Sequence, residues 1–109
     1  MKNGLYKVEF VTPLGQGAGV VVLDNGLIRG GDSGLFYTGS YTLNGETFSA
    51  EIATDRHTHH KNLQSTLGVD QAILNLTGKI ESDTRAAFAG TSPQAPGVSF
   101  QATLTRLCD

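Results

Sequence analysis

The chain has a single cysteine, Cys108, so an intramolecular disulfide is excluded. That suits a reducing compartment and rules out a disulfide-built scaffold. Tryptophan is absent, and there are only 3 prolines. Charge is sparse, with 17% of residues charged and a formal net charge of -2. There is therefore no basic excess to attract the phosphates of a nucleic acid or an anionic membrane surface. No apolar run approaches the ~20 residues of a membrane-spanning helix. Met1 to Phe10 hold no continuous apolar segment after the lysine, which reads against a signal peptide. Together these absences set an expectation: a cytoplasmic protein with no nucleic-acid partner and no membrane partner.

Helical periodicity is nearly missing too, and alternation of apolar and polar residues takes its place. Tyr6, Val8 and Phe10 alternate with Lys7 and Glu9; Phe48, Ala50 and Ile52 alternate with Ser49 and Glu51. Val98, Phe100, Ala102 and Leu104 alternate with Ser99, Gln101, Thr103 and Thr105. Successive side chains of a strand point to opposite faces, so each run has one side for a core and one for water. At 109 residues the chain is one domain, long enough to bury a core without a staple.

Turn signals divide these runs. Strand structure is predicted over Gly4 to Thr12, ending at Pro13, and again over Val20 to Leu23 after Gly15, Gly17 and Gly19. Asp24-Asn25-Gly26 predicts a tight hairpin leading to Leu27–Arg29. Gly30-Gly31-Asp32-Ser33-Gly34 reads as a loop, followed by a strand over Phe36 to Leu43. Asn44-Gly45 gives a second two-residue hairpin, with Glu46 to Thr54 returning. Asp55 to Asp70 is polar and holds all 3 histidines, with Leu63 and Leu67 spaced for one helical turn. Strands resume over Ala72–Glu81, Arg85–Gly90 and Ser99–Leu107, with a loop over Thr91–Gly97. The fold class expected is all-β, a small antiparallel barrel of about eight strands, since closure removes sheet edges.

The order of these features is similar to a known family. Gly4-Leu5-Tyr6 opens an alternating strand, and Gly15 and Gly17 precede an apolar one. Asn25-Gly26, a strand and Gly30-Gly31-Asp32 follow, then Tyr37 and Gly39. This arrangement resembles the N-terminal half of the GrlR family, lipocalin-like β-barrel regulators associated with bacterial type III secretion. The resemblance implies a cytoplasmic, non-enzymatic homodimer that holds a transcriptional activator away from its target. It also implies a partner contact at the hairpin tip Asn44, Gly45, Glu46 and Thr47, which has one carboxylate here.

Other motifs lead to less. Gly31-Asp32-Ser33-Gly34 is similar to the nucleophile loop of chymotrypsin-like proteases, but the chain is too short for two barrels and its histidines lack a matching context. Gly15, Gly17 and Gly19 precede a strand, whereas a dinucleotide fingerprint opens a helix. Asp55, His57 and His59 alternate and could share one face toward a divalent ion, but a solvated polar loop joining two strands is the favoured reading. No catalytic set, metal site or cofactor is expected. The aromatics Tyr6, Phe10, Phe36, Tyr37, Tyr41, Phe48, Phe88 and Phe100 are expected in the core, or lining a barrel pocket for a small apolar ligand.

Overall fold

A computed structural model of the protein describes residues 1–59 and 71–109. Eight strands follow in order: β1 (Gly4–Thr12), β2 (Gly15–Asp24), β3 (Leu27–Gly31), β4 (Leu35–Asn44), β5 (Thr47–Arg56), β6 (Ala72–Ser82), β7 (Arg85–Thr91) and β8 (Phe100–Cys108). Each pairs antiparallel with the next, and β8 returns to pair with β1. The result is a closed eight-stranded antiparallel barrel without a free edge. Among the described residues no helix is long and apolar enough to cross a membrane.

The alternation in sequence becomes inside and outside. Tyr6, Val8, Val21, Leu23, Ile28, Tyr37, Tyr41, Phe48, Leu74, Leu76, Phe88 and Leu104 are buried in one core. Their strand neighbours Lys7, Glu9, Arg29, Glu51 and Lys79 lie on the outer wall. This polarity is the reverse of a lipid-embedded barrel, which is apolar outside. Seven of the eight aromatics point inward or pack against the core, and Phe36 is the correction at 43% exposed. With Leu35, Tyr37 and Tyr41 directed inside, the pleat leaves Phe36 outside.

The rings also explain where glycine sits. Gly78 of β6 pairs with Phe48 on one side and Phe88 on the other. Those two rings stack with centroids 5.8 Å apart. A Cβ at Gly78 would lie 2.3 Å from the Phe88 Cβ, so only a bare backbone fits beneath the stack. Gly17 is opposite Phe10, and a Cβ there would lie 2.7 Å from the Phe10 ring. This corrects the expected start of β2. The strand begins at Gly15, five residues before the apolar run, because pairing with β1 supplies the cover that its own side chains lack.

Two hairpins differ in register from each other. At Asn25-Gly26 both central residues have positive φ (49° and 91°), the type I′ pattern. At the second, Asn44 pairs with Thr47, so the loop is Gly45-Glu46 rather than Asn44-Gly45. Only Gly45 has positive φ there (63°), which fits a type II′ turn with glycine first. β3 likewise runs to Gly31, which shortens the expected glycine loop to Asp32–Gly34. The expected helical turn at Leu63 and Leu67, and His60, lie outside the described residues.

One end of the barrel is closed by the residues before β1. The buried Tyr6 hydroxyl donates to the Lys2 carbonyl at 2.6 Å, and Lys2 N–H bonds the Asp83 carbonyl at 2.9 Å. The Arg106 guanidinium donates to the Asn3 carbonyl through Nε and a terminal nitrogen, at 3.1 and 2.9 Å. At the other end, Ala95 of the β7–β8 connection is buried in the core, and Gln94 Oε1 accepts the Ile73 N–H at 2.8 Å.

Candidate functional site

Three places merit chemical scrutiny: the β3–β4 turn, the barrel interior and the outer wall. The β3–β4 turn is organised by Asp32. Its Oδ1 accepts the Gly34 and Leu35 N–H groups at 2.9 and 2.8 Å. Its Oδ2 accepts the Tyr37 hydroxyl. Burial, followed by the Asp32 carboxylate that takes its hydrogen bond, pushes the Tyr37 phenol well above its ordinary range. His57 comes to the same turn because β4 and β5 pair Leu35 with Arg56. Its N–H donates to the Gly34 carbonyl at 2.9 Å, and its ring Nε2 lies 2.9 Å from the Asp32 carbonyl.

These bonds define what the cluster does. A carbonyl only accepts, so Nε2 of a neutral His57 donates to it, leaving Nδ1 to accept the Thr58 hydroxyl at 2.6 Å. Both ring nitrogens are thus occupied, and neither addresses Ser33, which is exposed. The Asp32 carboxylate is filled by turn amides and Tyr37. The loop similar to a protease motif is therefore a structural clamp joining β3, β4 and β5.

The Asp55, His57 and His59 series is not brought to one point. The Asp55 carboxylate accepts the Arg56 N–H at 2.7 Å, His57 faces the Asp32 turn, and His59 is exposed. Among the described residues no group of three His, Cys, Asp or Glu side chains is placed to hold a metal ion.

The interior contains an apolar cavity of about 60 Å³, bordered by Val8, Val21, Ile28, Phe48, Leu74 and Phe88 among others. Pockets for drug-sized ligands run to roughly 300–1,000 Å³, so the barrel is largely filled by its own side chains.

The outer wall is less uniformly polar than the core is apolar. Phe36 on β4 and Ile73 on β6 are 43% and 41% exposed, with exposed Ala53 of β5 paired to Ile73. They border a groove of about 450 Å³ with Thr38, Asp55 and Gln94. Val20 and Val22 of β2 and Leu27 of β3 are also half-exposed. The predicted contact residues Asn44, Gly45, Glu46 and Thr47 are all exposed at the far end of β4 and β5. The Glu46 carboxylate faces Lys79 at 3.9 Å, a solvated pair of small energetic weight. Sequence reasoning missed the groove, because Phe36 was counted with the core. Its place beside Tyr37 was the signal, since adjacent strand residues face opposite ways.

No protein-family model matches the chain, and no curated protein matches it. Among solved structures it is similar to a redesigned β-barrel, with a TM-score of 0.66 and 17% identity, over 96% of this chain and 90% of that one. At that identity the likeness concerns the fold alone.

Proposed function

We propose that this protein is a non-enzymatic interaction module that acts through the outside of its barrel, in the manner of the GrlR-like regulators its N-terminal half resembles. The observation behind this reading is the contrast between a nearly filled interior and the large apolar side chains left on the wall. A carrier of hydrophobic cargo needs the opposite: an enlarged interior and a polar exterior. Apolar side chains grouped on an exterior groove are more characteristic of protein contact.

The proposed partner is another protein, in the GrlR-like reading a transcriptional activator held away from its target in the cytoplasm. Its apolar side chains would cover Phe36, Ala53 and Ile73. The hairpin tip Asn44–Thr47 is the second proposed contact, resting on the resemblance. The protein itself is proposed to be a homodimer.

The test is capture from the native host with untagged protein, read by mass spectrometry. Phe36→Lys with Ile73→Lys is compared with Glu46→Ala with Thr47→Ala. Both pairs change exposed positions, so each variant should keep the barrel, which circular dichroism verifies. Loss of a specific partner from the wall variant is expected, and weakened capture from the tip variant. Retention of every partner by the wall variant would refute the groove, and retention by the tip variant would refute the tip.

A further inference from the structure

We propose that the barrel interior is a binding site for one small apolar molecule, of the size of xenon or a short hydrocarbon. The cavity measures about 60 Å³. One water needs roughly 10–15 Å³, so volume does not keep water out. Chemistry does, because a buried water requires two to four polar partners. The lining is almost wholly hydrocarbon, and its hydroxyls come from Tyr37 and Thr54. The Tyr37 hydroxyl is given to Asp32, and Thr54 has a partner of its own. Few hydrogen-bonding sites therefore face the space, which favours an apolar guest that restores dispersion contacts the wall atoms forgo.

The wall is also part of the paired sheet. Val8 pairs with Leu104, Val21 with Gly30 and Leu74 with Ile52, so the lining belongs to the ladder of the closed sheet. Such a wall does not collapse into the space, and it sets an upper limit on the guest. A dry engineered cavity of about 150 Å³ takes benzene. This one is less than half that size, so aromatic rings and fatty acyl chains are excluded.

Xenon titration of methyl-labelled protein, followed by NMR, tests the proposal. Val21 faces inward while Val20 and Val22 on either side face outward. Saturable shifts are expected at the Val8, Val21 and Ile28 methyls, with only weak, linear shifts at Val20 and Val22. Val21→Ile adds a methyl to the cavity and should weaken xenon binding on the order of tenfold. Leu74→Ala enlarges the space and should admit benzene, which the wild type refuses. Linear shifts of equal size on both faces would overturn the proposal. So would micromolar binding of cis-parinaric acid by the wild type, which would require a far larger chamber.

Discussion

Replacing Asp32 with alanine isolates the carboxylate that organises the β3–β4 turn, since the His57 bonds to the Asp32 and Gly34 carbonyls, which tie in the end of β5, remain. The carboxylate accepts two turn N–H groups, from Gly34 and Leu35, and the hydroxyl of Tyr37. Gly34, Leu35 and Tyr37 are buried while Asp32 is half-exposed, so water replaces only part of what the carboxylate gives these donors. A buried donor left unsatisfied costs about 1–3 kcal/mol. Partial relaxation of the turn lowers the sum of three such terms, and the expected loss is about 3–4 kcal/mol. For a domain of this size, stable by about 5–15 kcal/mol, that is a large fraction. Urea denaturation measures it, with the slope checked for an unchanged transition. A double-mutant cycle with Tyr37→Phe should give a coupling of about 1–3 kcal/mol, since removing both partners at once leaves no orphaned hydroxyl. Ser33→Ala, at the exposed neighbour, should stay within about 0.5 kcal/mol. A loss below about 1 kcal/mol for Asp32→Ala, with no coupling to Tyr37, would refute the clamp.

Further outcomes follow from other parts of the barrel. The Tyr37 phenol is held protonated by burial and by the Asp32 carboxylate, so above pH ~10 the unfolded chain binds fewer protons than the folded one. The stabilisation is complete below that pH, and stability should fall by about 1.4 kcal/mol per pH unit above it. Burial raises Tyr6 in the same direction, so Tyr37→Phe should lessen the alkaline slope in urea titrations without abolishing it. Gly78→Ala should cost at least ~2 kcal/mol, because the added methyl meets the β7 backbone and Phe88 beneath the ring stack. Gly45→Ala, with open space around its Cβ but positive φ, should cost only about 1 kcal/mol. Light scattering at micromolar concentration should give twice the monomer mass, and a monomer would remove the proposed homodimer.

Where side chains set the period, alternation and strand bounds coincide. β1 was expected over Gly4–Thr12 and lies there, since Tyr6, Val8 and Phe10 mark the inside. Where glycine stands in the strand, the period disappears, which is why β2 was expected only from Val20. Its first half is ordered by a partner strand, and Phe10 covers Gly17 from across the ladder. The Asn44-Gly45 signal located the hairpin, but turn type shifted its loop by one residue. The link from the Asp32 turn to β5 is not legible, because His57 reaches the Asp32 carbonyl through the register of β4 and β5 over a separation of 25 residues. The cavity depends on how core side chains interdigitate, which alternation does not encode.

The central proposal is that a partner protein reads the outside of the barrel, whose interior admits at most one small apolar guest. The most direct measurement compares capture of host proteins by two variants, Phe36→Lys with Ile73→Lys on the wall and Val21→Ile in the core. Loss of the specific partner from the wall variant alone, with full capture by the core variant, is the result expected. Undiminished capture by the wall variant, with loss from the core variant, would place recognition inside the barrel and contradict the account.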